Sequence, residues 1–512
     1  MLAPLRSNAT RRQTSTIRGI KAPFGGWNAS DDVTDMPEED AIVLDNLIPG
    51  DGSVALRKGI ASHATGLGAA VRSLMEWNAA GSTAKLFGAT AAAIYDVTSA
   101  GAVGAAAVSS LSNGNWQSVN FQTAGGNFLV LANGADSVRN YDGSSWTTPS
   151  ITGVTSSTLA TVTVHQSRLW FCQVDTLKVW YLPTLSIAGA ATAIDLRGLA
   201  TRGGHVVNMA SWTRDSGSGI DDIAVFITSR GEIILFQGSD PSSAATWSKI
   251  GTFKVAEPIG RNCFIKVGGD VGILTTQGLV PLAGVLARAE AAQANIAITD
   301  KIRNAFTSAY NDAGTANGWQ VIEYPREKLL IINVPITEAT EQMQFVMNAL
   351  NGKWCRFTGI DAGCWSLLNT ELYLGGNDGT VYKYTGTTDA GTAITAKAVS
   401  AFSMLGTPVT KNLRRVLPLF FGPSGYRPQV GSRLDYGEDE TLSPAVTYDT
   451  SGTAWDEGSW DSASWAPPDR VNKQWQAFLG ECVAMAFVVA IESQDAMTYH
   501  GAKVEFEVGD HL

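Results

Sequence analysis

Charge is scarce in this chain. Asp, Glu, Lys and Arg make up 16% of it, against roughly 25% in an average globular protein. Basic residues are the scarcer sign, 37 against 47 acids, for a formal net charge of −10. That excludes a broad nucleic-acid-binding surface, while an acidic wall still lets DNA slide past it. Cysteine is sparse and odd in number. Cys172, Cys263, Cys355, Cys364 and Cys482 are far apart and form no C-x-x-C pair, which points to reduced, partly buried thiols made in a reducing compartment. No run approaches the ~20 apolar residues of a membrane helix. The longest, at 482–491, is a core-strand candidate. The five histidines (His63, His165, His205, His500, His511) fall at no metal-ligand spacing, and the chain has neither a G-x-S-x-G elbow nor a phosphate-binding G-x-x-x-x-G-K-[ST] loop.

Glycine, by contrast, is abundant at 53 residues. It punctuates a recurring statement that is clearest in Gly376-Asn377-Asp378-Gly379-Thr380-Val381-Tyr382-Lys383-Tyr384. This reads as an Asp-Gly hairpin turn running into an alternating strand. Related strand ends occur at Tyr95, Tyr141, Tyr181, Phe236 and Leu282, 40 to 55 residues apart, and Tyr384 follows after two further units. Four-stranded propeller blades repeat every ~40–50 residues, because a blade buries its faces only against its neighbours in a ring. The pattern therefore predicts an all-β chain with a β-propeller of six to eight blades over 71–389. A tandem array of sandwiches would give a similar strand density. One Ala-rich helical insertion is expected over 284–312, with Thr299 or Asp300 as its N-cap, and Asn351-Gly352 reads as a type I′ turn.

The remaining chain divides into three parts. Residues 1–22 carry Arg6, Arg11, Arg12, Arg18 and Lys21 with no acid before Asp31. They read as a flexible basic arm that orders on a partner subunit or DNA, with an organelle-targeting peptide or an untethered terminus as alternatives. Residues 23–70 form a docking segment, within which Met36 to Ala41 has the proline and acids of a short helical turn. Asp31, Asp32 and Asp35 lack the spacing of a calcium loop. Residues 390–512 read as a C-terminal antiparallel β-sandwich with an insert holding Trp455, Trp460 and Trp465. Evenly spaced tryptophans suit a sugar-binding strip, an edge cover or a subunit contact. The acids Asp221-Asp222 and Glu438-Asp439-Glu440 invite comparison with glycosidase carboxylates, but acids adjacent in sequence are the ordinary make-up of a solvated loop. No catalytic residues, cofactor or metal are expected.

The N-terminal block carries more specific information. Pro23-Phe24-Gly25-Gly26-Trp27-Asn28 is followed by Met36-Pro37-Glu38-Glu39-Asp40-Ala41, Leu44-Asp45-Asn46-Leu47-Ile48-Pro49 and Leu56-Arg57-Lys58-Gly59. The order and spacing resemble the opening of the tail nozzle proteins of short-tailed bacteriophages, also called tail tubular protein B or packaged-DNA stabilisation proteins. The Trp-Asp-rich insert before the closing strands looks similar too, whereas the Arg-rich leader before Pro23 lies outside the pattern. The resemblance covers about sixty residues in sequence and the rest in architecture only. It implies a non-enzymatic virion protein assembled in the host cytoplasm, docked to the tail adaptor and in contact with fibres or spikes. It further implies a sixfold ring around double-stranded DNA that retains the genome and opens for ejection. Pro23, Gly25, Gly26, Trp27, Met36, Pro37, Arg57, Trp455, Trp460 and Trp465 are then assembly-interface candidates. A carbohydrate-binding or glycan-cleaving surface propeller is the alternative.

Overall fold

Gly379, in the turn that defines the repeat, has φ +80°, and a Cβ there would come within 3.1 Å of the Ala69 backbone. The turn joins Glu371–Gly376 to Val381–Tyr384. Its Asp378 carboxylate accepts the Thr380 N–H at 3.0 Å and the Tyr382 hydroxyl at 2.6 Å. This is one hairpin of a ring. The computed structural model describes residues 15–509 except 82, 216–219, 289, 291–292, 424–425 and 447–469. Two compact units emerge, one of residues 59–352 with 356–391, the other of residues 1–58, 353–355 and 392–512.

The first unit is a β-propeller of seven blades. Their innermost strands are Ser73–Trp77, Gln117–Thr123, Leu159–His165, Val206–Asp215, Phe264–Val267, Gln320–Tyr324 and Ala362–Leu368. Each blade adds antiparallel neighbours outward, as in the fourth, where Ile220–Thr228, Glu232–Gly238 and Trp247–Lys254 follow in order. The seventh inner strand packs beside the first and closes the ring. Strand pairing also closes it: Ile60–Thr65, which precedes the first blade, pairs antiparallel with Val381–Tyr384 of the last. Both ends of the unit are thereby fixed in one sheet.

Between blades the alternating apolar residues meet in separate clusters. Blades 1 and 2 share Met75, Trp77, Phe87, Trp116, Leu129 and Tyr141. Blades 3 and 4 share Trp170, Tyr181, Phe226, Phe236 and Trp247, with the Trp170 and Trp247 rings stacked at 5.5 Å. Side chains of this size carry most of the burial energy, ~1.5–3 kcal/mol each.

The Ala-rich segment is less helical than its composition predicts. Among the described residues α-helix forms at Leu282–Ala287 and Arg303–Ala313, with single 3-10 turns at Ala294–Ile296 and Asp300–Ile302. Thr299 does not cap, because its hydroxyl accepts the Leu279 N–H at 3.2 Å. The turn at Asn351-Gly352 is not type I′. Gly352 alone has positive φ, and its N–H reaches back to the Asn348 carbonyl at 2.8 Å in a wider loop.

The second unit is a sandwich of two sheets. In one, Thr498–Val508 pairs with Lys411–Gly422 on one edge and with Thr16–Lys21 and Val54–Leu56 on the other. In the other the order is Gly26–Trp27, Asp40–Asp45, Thr392–Ser400, Met485–Ser493, Tyr426–Leu434 and Thr441–Leu442. Phe420 against Tyr426 at 5.8 Å and Phe478 against Phe487 at 5.8 Å join the two faces. Three expectations change. Thr16–Lys21, within the expected flexible arm, is a paired strand. The expected docking segment splits, with residues through Lys58 completing this sandwich and Ile60–Thr65 completing the propeller. Pro37 to Asp40 is a single turn, Asp40 N–H to Pro37 carbonyl at 2.9 Å, and leads straight into a strand rather than a helix.

Candidate functional site

The N-terminal motif residues are built into the sandwich. Gly26 and Trp27 run parallel to Asp40 and Ala41. A Cβ at Gly25 would strike the Asp40 carboxylate, and one at Gly26 (φ +88°) would lie 2.9 Å from the Trp354 carbonyl, so close backbone approach demands glycine at both. Asn28 ties the block together, donating to Asp31 and Asp40 at 2.8 Å each. Arg57 is 2% exposed, and its Nε donates to the Asn46 Oδ1 at 2.8 Å. Asn46, itself left-handed at φ 58°, donates to the Thr395 carbonyl at 2.7 Å. The Asn and Arg elements of the motif are therefore one hydrogen-bonded pair.

This placement revises the interface assignment. Pro23, Gly25, Gly26, Trp27, Met36 and Arg57 are buried within the unit, and of the described candidates only Pro37 is exposed. Trp455, Trp460 and Trp465 lie outside the described residues.

What the block does present is a groove. Thr34, Asp35, Met36 and Glu38 form one wall and Phe402, Met404 and Tyr436 the other, around about 460 Å³. Met404 and Tyr436 are 43% and 37% exposed. Tyr436 stands on a turn with Asp435 and Tyr436 both left-handed (φ 47° and 63°), a conformation that costs non-glycine residues ~1–2 kcal/mol each. Asp435 holds it by accepting the Val483 and Ala484 N–H groups at 2.8 and 2.9 Å, while Phe402 packs on the Tyr436 ring at 4.7 Å. The only sequence signals for this wall are Leu405-Gly406 and Tyr436-Gly437, which mark turns but not what the turns expose.

The propeller has a concavity of its own at one end of its axis, about 460 Å³, lined by blades 1, 2, 5, 6 and 7. Gln117 of blade 2 reaches across to Asn262 of blade 5 at 2.5 Å. Arg261 donates to the Asn133 carbonyl at 2.7 Å. Trp116, Trp319 and Trp365 reach its wall but are 4%, 3% and 1% exposed. Their ring faces offer no stacking platform.

No group of three or more His, Cys, Asp or Glu able to hold a metal occurs among the described residues. All five cysteines are buried and unpaired, and burial pushes the thiols of Cys172, Cys263 and Cys364 up to about 12. His165 is held down to about 4 by burial, against the opposing field of Asp222. Glu440, one of the acids compared with glycosidase carboxylates, lies between Lys397 and Arg433 at 2.6 and 2.5 Å. Burial raises its pKa, but those bonds and charges outweigh burial and hold it below the ordinary value. Asp222 accepts the Thr213 hydroxyl at 2.8 Å. No described helix is long and apolar enough to cross a membrane.

No family model matches this chain, and no curated protein matches it. Among solved structures it is similar to the WD40 β-propeller domain of Doa1, at 10% identity and TM-score 0.38 over 64% of this chain and 97% of that one. The β-propeller domain of Cps50 (Swd1) from Myceliophteria thermophila gives 10% identity and TM-score 0.41 over 64% and 100%. YCF48 from Cyanidioschyzon merolae gives 11% and 0.36 over 62% and 96%.

Proposed function

We propose that this chain is a structural, non-catalytic component of a short-tailed phage tail, the nozzle that forms the distal DNA channel. In this reading six copies form a ring docked to the tail adaptor, retaining the genome and opening for ejection. DNA passes through the ring's lumen and not along a propeller axis, which Gln117 and Asn262 bridge. The supporting observation is the groove beside the N-terminal block. One wall, with Met36 and Glu38 of the segment that carries the family resemblance, faces the partly exposed apolar side chains of Phe402, Met404 and Tyr436. Exposed large apolar side chains in a concave patch suit subunit contact. An acidic chain with few cations also suits a lumen through which a polyanion must slide without long-lived phosphate contacts. Electron microscopy of the purified chain, alone and with portal and adaptor, tests this. Sixfold rings that cap the adaptor are expected, and a chain that stays monomeric and never joins a tail complex would overturn it.

A further inference from the structure

The lining of the propeller's axial concavity runs against the acidity of the chain as a whole. In a chain with ten more acids than bases, none of the described residues lining it is acidic, and Arg72, Arg261, Asn115, Gln117, Asn262 and Asn317 contribute donors to its wall. Two of these donors, Arg72 and Asn317, are already engaged by a carboxylate from outside the lining. Glu338 accepts from Arg72 Nη1 at 3.3 Å, from the Asn317 N–H at 3.2 Å and from Asn317 Nδ2 at 3.0 Å. Arg261, half-buried, has no carboxylate within salt-bridge distance among the described residues; its guanidinium donates to the Asn133 carbonyl. Burial disfavours its charge, with Asp175 acting as a distant counter-charge. A partly desolvated guanidinium gains most from an incoming anion, because charge-assisted bonds strengthen away from water.

We propose that this cavity is a binding site for an acidic peptide segment of a partner protein, with a carboxylate side chain received by Arg261 and the surrounding amides. Duplex nucleic acid is excluded by size. A single strand would need exposed aromatic faces for stacking, and Trp116, Trp319 and Trp365 are buried. About 460 Å³ matches a side chain with its flanking backbone rather than a folded element. The site stands apart from the tail assignment, since rings without peptide binding, or peptide binding without rings, separate the two.

Isothermal titration of the full chain with capped hexaglutamate at low salt tests it, with hexaglutamine and inorganic phosphate as comparison ligands. One hexaglutamate per chain is expected, weakened about tenfold or more by Arg261→Gln, the equivalent of one charge-assisted hydrogen bond. Asn115→Asp, which places a carboxylate in the cavity, weakens it similarly without touching Arg261. Arg230→Gln, at a solvent-exposed pair with Glu257, leaves it unchanged. Melting curves identify any variant that fails to fold, and the other variant then decides. Absence of binding, equal binding of hexaglutamine, phosphate binding as tight as the peptide, or indifference to both cavity variants would each overturn the proposal.

Discussion

Acid should loosen the propeller at one identifiable place. His165 ends the inner strand of the third blade, is 1% exposed, and has Nδ1 at 2.9 Å from the Ser211 hydroxyl of the fourth. Its Nε2 is buried with no hydrogen-bond partner among the described residues, and the Trp170 and Trp247 rings lie 6.1 and 5.8 Å away. Burial holds the imidazole neutral, lowering its pKa from 6.5 to about 4. Because the folded value is depressed, the unfolded chain binds the proton more readily between those limits, so stability falls as the pH drops from 6.5 towards 4 and levels off below. At ~1.4 kcal/mol per pH unit over that interval the loss amounts to about 3 kcal/mol. The comparison variant is His165→Asn, whose amide can keep the Ser211 bond but does not titrate. Denaturant unfolding of both proteins, followed by tryptophan fluorescence between pH 7.5 and 4, isolates the His165 contribution from the carboxylates common to both. The variant should be weaker at pH 7.5, from lost ring contacts, and the gap should shrink or reverse by pH 4. A gap that is constant with pH would refute the burial argument.

Other expectations follow from single contacts. Gly379→Ala places a Cβ at φ +80° against the Ala69 backbone; a loss of about 1–2 kcal/mol is expected in chemical denaturation. Lys411 is fully buried, and its Nζ donates to the Val409 and Val483 carbonyls at 2.8 and 2.7 Å. Lys411→Ala leaves both acceptors unsatisfied and should destabilise the sandwich by about 2–4 kcal/mol, measured as a shifted urea midpoint. Met404→Asp puts a charge into the exposed groove; it should leave the melting curve unchanged while abolishing ring formation in mass photometry.

Local pattern made the blades readable. Alternation and turn chemistry marked the recurring strand ends at Tyr95, Tyr141, Tyr181, Phe236 and Tyr384, because each blade's hairpins are short-range and its apolar side chains face neighbours on both sides. The inner strands Ser73–Trp77 and Val206–Asp215 carried no such signal. The closing strand Ile60–Thr65 escaped, since its partner Val381–Tyr384 lies at the far end of the unit and nothing local specifies so distant a pairing. The sandwich was half legible for the same reason: 390–512 reads as β, but its pairing with Thr16–Lys21 and Asp40–Asp45 is long-range. Alanine content overstated the helix at 284–312, where packing on blade 5 claims Thr299 instead. At the motif, the sequence marked the right residues for a different reason. Gly26, Asn46 and Arg57 are constrained by close backbone approach and buried hydrogen bonds, and the surface they support lies in Met404 and Tyr436, which no periodicity distinguishes. Arg72 and Arg261 come together only when the ring closes.

The most direct test of the tail assignment is the mass of the purified chain in solution and on adaptor-bearing particles. Mass photometry should give a six-copy species at micromolar concentration, or on the adaptor, that disappears with Met404→Asp. A single-chain mass throughout, with no binding to adaptor-bearing particles, would contradict it.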